Sequence, residues 1–182
     1  GFIDNVAPTP REAKPELSTT GKEIPCDPTA PTALFVFKSH LEPNLGKLSF
    51  FKVVSGEVTT NSELINSQTG ALERIHQLFI MDGKTRNSVD KLVAGDIGAT
   101  LKLKDTYTNQ TLHAKGYDVA LKPIDFPEPR VRVAVVAKSK NDNEKIGEVL
   151  NKIHQEDPTL EVAFSKELKQ LILSAQGELH LT

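Results

Sequence analysis

Gly46-Lys-Leu-Ser-Phe-Phe-Lys-Val-Val-Ser-Gly56 is the stretch on which the reading of the fold turns. In an extended strand Leu48 and Phe50 share one face, while Phe51 and Val53 fall on the other. Apolar residues on both faces imply a β-bulge or a strand buried on both sides. Just upstream, Thr32-Ala-Leu-Phe-Val-Phe-Lys38 is a short apolar run rich in β-formers and reads as a buried strand. Downstream, Ser55-Gly56 makes a turn and Ala71 to Phe79 reads as a further strand. Ala94-Gly-Asp-Ile-Gly98 turns the chain into Ala99 to Leu103, where Leu101 and Leu103 alternate with Lys102 and Lys104. Short strands at this spacing, with no long helical pattern between them, predict a small closed or nearly closed β-barrel over residues 28–124. Closure would remove the unpaired edges such strands expose.

The flanks read differently. Residues 1–27 hold Pro8, Pro10, Pro15 and Pro25 and predict an extended linker or lid, since proline fixes φ and removes a donor. The chain opens on Gly1 rather than methionine, which reads as a piece of a longer protein. Phe126-Pro-Glu-Pro129 marks a boundary, and the pattern changes after it. Val131, Val133 and Val135 alternate with Arg132 and Ala134, as in a strand. Asn141 or Asp142 then caps a helix whose Ile146, Val149, Leu150 and Ile153 lie at i, i+3, i+4 and i+7. Asp157-Pro158 stops that helix, and Leu160 to Phe164 and Gln170 to Ser174 read as two more strands. This β-α-β-β order is three-quarters of a ferredoxin-like split βαβ unit. The fold class expected is therefore mainly β plus α+β: a β-barrel, then a truncated ferredoxin-like domain over 125–182 with an open sheet edge.

Composition bounds the chemistry. The 182 residues carry a formal charge of -2, so attraction to nucleic acid must come from local basic patches. The single cysteine, Cys26, forms no intrachain disulfide and fits a reducing, cytoplasmic setting. No apolar run approaches the roughly 20 residues of a membrane helix. Gly83-Lys84-Thr85 imitates the end of a phosphate-binding loop, but Leu78 stands where its leading glycine belongs. Asn109-Gln110-Thr111 matches a glycosylation sequon and reads as a plain turn. The five histidines, His40, His76, His113, His154 and His180, show no metal-ligand spacing. No nucleophile–base pair stands out, so no catalytic residue is expected.

Four segments of the first part resemble, in order and spacing, the second domain of elongation factor G. They are Phe35-Val-Phe-Lys38, the Gly46–Gly56 stretch, Ala94-Gly-Asp-Ile-Gly-Ala99 and Leu103-Lys104. Phe126-Pro-Glu-Pro129, Asn141-Asp-Asn-Glu-Lys145, Glu156-Asp-Pro-Thr159 and Gly177-Glu-Leu-His-Leu181 are similar to its third domain, and Gly1 to Pro10 to the stretch leaving its GTPase domain. The resemblance implies a ribosome-dependent GTPase whose GTP and Mg are held by a domain ahead of this chain. It implies as partners the small-subunit rRNA and proteins and the neighbouring GTPase and C-terminal domains, and no membrane. The barrel would dock on the small ribosomal subunit, and the third domain would relay between the GTPase switches and the ribosome.

Residue by residue, the loops at His40-Leu-Glu-Pro43 and Lys84-Thr-Arg86 match family loops facing small-subunit RNA, which makes His40, Lys84 and Arg86 the RNA-binding candidates. Asp157, Pro158, Thr159 and His180 match positions lining the family's fusidic-acid pocket between domains. The chain departs from the family at Thr108-Asn-Gln-Thr-Leu112, where Thr-Gly-Asp-Thr-Leu is usual. It departs again at Ala175-Gln176, where Gly-Met is usual. Loss of a glycine removes easy access to positive φ, so both turns are expected to be reshaped. A paralogous ribosome-protection or release-type factor without translocase activity is the alternative, and a plain protein-interaction barrel is the third reading.

Overall fold

The computed structural model describes residues 6–42, 45–137 and 142–181. Contacts divide the chain into two compact units, 1–124 and 125–182.

The first unit is an antiparallel sheet curled into a half-barrel. Its strands are β3 (Ala33–Glu42), β4 (Gly46–Ser55), β6 (Glu63–Asn66), β7 (Leu72–Arg74), β8 (Leu78–Asp82), β9 (Thr85–Val89), β11 (Ile97–Leu101) and β12 (Gln110–His113). They run in the order β7-β6-β12-β3-β4-β11-β8-β9. A separate ribbon pairs β5 (Glu57–Thr59) with β10 (Lys91–Val93). It prolongs β4 and β11 past Gly56, whose carbonyl accepts from the Ala94 N–H.

Strand β4 is buried on both sides, as its sequence demands. Phe51 and Val53 enter the main core with Leu34, Val36, Leu64, Ile75, Leu92 and Leu112. Leu48 lies on the opposite face with Phe79, Ala99 and Leu101, and Phe50 and Met81 pack against them. The register against β3 shifts between Val36 and Lys38, so the bulge falls at Phe37 on the partner strand. Beyond it Lys38 stands opposite Phe50 and His40 opposite Leu48.

Three expectations need correction. Residues 16–24 are not linker: β1 (Glu16–Leu17) pairs with β2 (Glu23–Ile24), and Ser18 bridges to Leu121. Ile24, Ala33, Val54, Val119 and Leu121 form one buried cluster, so apolar burial holds this hairpin on the barrel. The strand expected over Ala71–Phe79 is two strands, β7 and β8, because the chain turns at Ile75, which is fully buried and donates its N–H to Ser62. The strand read through Leu103 ends at Leu101, since Lys102 takes φ 64, outside the extended region.

A buried polar knot holds the loop before β12. Glu73, 2% exposed, accepts hydrogen bonds from the Lys104 and Asp105 N–H groups at 3.0 and 2.7 Å and from the Thr106 hydroxyl at 2.8 Å. The fully buried Asn66 donates to Thr106 and Gln110 at 3.1 and 2.9 Å. At the end of this loop Asn109 takes φ 72. The turn that lacks the family glycine therefore still reaches the left-handed region, which asparagine tolerates. Its side chain bonds both backbone groups of Ile124, accepting from N–H at 2.7 Å and donating to the carbonyl at 2.9 Å. At the second departure, Ala175 is a fully buried strand residue, and neither it nor Gln176 takes positive φ.

The second unit has β13 (Val131–Val135), α1 (Asp142–Glu156), β14 (Glu161–Ser165) and β15 (Gln170–Ala175), then a 3-10 turn over Glu178–His180. The antiparallel sheet runs β13-β15-β14, the strand order of a split βαβ unit. Strand β13 has a neighbour on one side only among the described residues. The helix ends at Glu156, where Asp157-Pro158 was expected to stop it. The proposed cap Asn141 lies outside the described residues. Of the helical stripe, Leu150 is buried, whereas Val149 is 53% exposed.

Candidate nucleic-acid interface

The bulge at Phe37 and the β8–β9 hairpin together build a trough on the face of the sheet opposite the main core. Its volume is about 490 Å3. Leu48, Phe50 and Met81 form the floor, and Lys38, His40, Glu42, Gly83, Lys84 and Arg86 form the rim. Each position follows from register. Lys38 and His40 project beside their cross-strand partners Phe50 and Leu48, and Arg86 stands opposite Met81. Gly83 and Lys84 are the tip of the β8–β9 hairpin, with Asp82 paired to Thr85 across it. No helix follows this tip, so the Gly83-Lys84-Thr85 triplet has none of the geometry of a phosphate-binding loop.

All three RNA-binding candidates from sequence, His40, Lys84 and Arg86, line this one trough. Arg86 is engaged: its guanidinium donates to the Glu42 carboxylate, and the pair shows only 27% and 23% side-chain exposure. Arg86 Nε is buried and makes no hydrogen bond. Lys84 is exposed at the tip. Sequence reading missed Lys38, although its spacing of two from His40 on one strand places both on one face. It also missed Phe50, which its apolar neighbours disguise as a core residue.

The second set of candidates, Asp157, Pro158, Thr159 and His180, also converges. Asp157 Oδ1 accepts from the Thr159 N–H at 2.9 Å and hydroxyl at 2.6 Å. Asp157 Oδ2 lies 2.9 Å from His180 Nε2, and His180 Nδ1 faces the Gln176 N–H at 3.4 Å. Nε2 donates to that carboxylate, and Nδ1 accepts from the Gln176 N–H. Burial pushes the Asp157 carboxyl up, but the bonds from Thr159 and His180 outweigh it and leave its pKa below the ordinary range. Pro158 occupies the turn between Asp157 and Thr159.

A curled antiparallel half-barrel is thus followed in sequence by a β-α-β-β unit. Two family descriptions match this chain: Elongation factor G domain 2 over residues 31–115, and Elongation Factor G, domain III over residues 126–182. The chain belongs to the elongation factor G family through these two domains. Among solved structures, the crystal structure of ttk003000868 from Thermus thermophilus superposes with a TM-score of 0.70 at 27% identity, over 85% of this chain. The chain spans 24% of the length of that protein. Among the described residues no helix is long and apolar enough to cross a membrane.

Proposed function

We propose that this chain is the ribosome-docking and relay part of an elongation factor G-type translocase working in the cytoplasm. The observation that carries the reading is the convergence of His40, Lys84 and Arg86 on one trough of the half-barrel. Lys38, Lys84 and Arg86, concentrated on one face of a chain of net charge -2, suit the phosphates of small-subunit rRNA. The cluster of Asp157, Pro158, Thr159 and His180 is the natural contact for neighbouring domains of a longer protein, and the fusidic-acid-type pocket would form there. In this reading GTP and its Mg are held by a separate GTPase domain of that protein.

Co-sedimentation with purified small subunits tests the docking. The Lys84→Glu variant should bind severalfold more weakly at low salt, with a shallower salt dependence. Binding unchanged across salt concentrations would sink the assignment. In the longer protein, toeprinting separates translocase from ribosome-protection or release-type factor: advance of the mRNA by one codon supports the first, and its absence with binding intact supports the second.

A further inference from the structure

We infer that the trough seats an unpaired RNA nucleotide, with its base stacked on Phe50 and its phosphates held by Lys38 and Lys84. This rests on the RNA-docking reading and specifies what that site takes.

The floor carries the argument. A surface that met only a duplex backbone would need cations on its rim and nothing apolar beneath them. Here Phe50 and Met81 are half-buried and line the trough, inside a rim that includes Lys38, Lys84 and Arg86. Apolar surface held open within a polar rim marks a binding site, and an aromatic ring beside cations is the arrangement that binds single-stranded nucleic acid. A base inside an A-form duplex could not reach such a floor, because its faces are stacked and its major groove is deep and narrow. An unpaired base in a loop, bulge or single strand can.

The platform is also pre-formed. Phe50 is fixed by strand pairing with Lys38 on one side and Ala99 on the other, and its ring packs against Phe37 with centroids 6.4 Å apart and planes tilted by 41°. Little ordering remains to oppose binding. Glu42, the one carboxylate on the rim among the described residues, is paired with Arg86, so it does not repel a phosphate at Lys38 or Lys84. The volume of about 490 Å3 lies inside the ~300–1,000 Å3 range of sites for small ligands.

The test is fluorescence anisotropy of the 182-residue chain with an unstructured single-stranded RNA and a duplex RNA of equal length. The single strand should bind more tightly. Phe50→Leu keeps the apolar volume and removes the ring, and it should weaken single-strand binding about tenfold while leaving duplex binding unchanged. Lys38→Gln, at an exposed position that does not support the core, should weaken single-strand binding and lower its salt slope by about 0.7. Equal binding of both RNAs, with Phe50→Leu silent on each, overturns the stacking proposal and leaves the docking reading standing. No binding of either RNA by the unmodified chain overturns the docking reading and the proposal with it.

Discussion

Arg86 and Glu42, 44 residues apart in sequence, join their side chains across the tips of two hairpins, β3–β4 and β8–β9. Two consequences follow from this pair. It ties together the two hairpins that carry His40 and Lys84, and it occupies the cation with the best geometry for a phosphate. Glu42→Gln keeps the shape of the contact and removes its charge. Affinity for small subunits should rise, and the salt slope should steepen by roughly one, as the Arg86 charge becomes available. Stability should fall by about 1 kcal/mol, because the pair is only partly buried. Co-sedimentation at about 50 and 200 mM salt, with a urea melt, reads both quantities; lowered affinity would show that Glu42 serves binding by holding Arg86 in place.

Glu73 stabilises the barrel through three acceptor bonds inside a site that excludes water. Glu73→Gln leaves one of its two oxygens replaced by an NH2 group, which sets donor against donor. The expected loss is about 1.5–3 kcal/mol, the range for hydrogen bonds to charged groups. Urea unfolding monitored by far-UV circular dichroism measures it. A loss within experimental error would mean that the loop of residues 102–108 finds other acceptors.

Asn109 combines a positive φ with two side-chain bonds to Ile124. Asn109→Gly keeps the backbone conformation and loses the bonds, for about 1 kcal/mol. Asn109→Ala loses the bonds and also strains the backbone, adding about 1–2 kcal/mol. Thermal melts should therefore rank the native chain above the glycine variant and the glycine variant above the alanine variant. Alanine equal to glycine would show that the turn relaxes out of the left-handed region.

Asp157 couples the second unit to acid. Its carboxyl is lowered in the folded state, so the folded state binds fewer protons there than the unfolded chain. The resulting stabilisation is fully present above the unfolded carboxylate pKa of about 3.9 and is lost as pH falls through the lower folded value. In a pH titration by NMR, the Thr159 amide should move with a midpoint below that of an unstructured aspartate. Asp157→Asn should remove this transition and flatten the acid limb of the stability curve. A midpoint at or above about 3.9 would show that burial outweighs the hydrogen bonds.

Much of the fold was legible because alternation and turn chemistry are local. Lys47–Ser55 reads as a strand buried on both faces from its own eleven-residue neighbourhood, Gly46 to Gly56, and β4 is that strand. Val131–Val135 and the spacing of Ile146, Val149, Leu150 and Ile153 place β13 and α1 in the same way. Strand β9, Thr-Arg-Asn-Ser-Val, went unread because it is polar and lies at a sheet edge. No hydrophobic pattern marks it, and only its hydrogen bonds to β8 define it.

The order of elements, the family resemblance and the identity of the candidate cations are all readable from the residues alone. Which of these side chains meet is a property of the folded sheet. The bulge at Phe37 turns Lys38 and His40 onto the face of Phe50, and sheet order brings the β8–β9 tip beside them. Folding also holds Arg86 on Glu42, makes residues 16–24 part of the barrel, and carries His180 to Asp157 across 23 positions. Such contacts depend on register and on the path of the whole sheet. Those are set by burial summed over many strands and leave no trace in any short window of sequence.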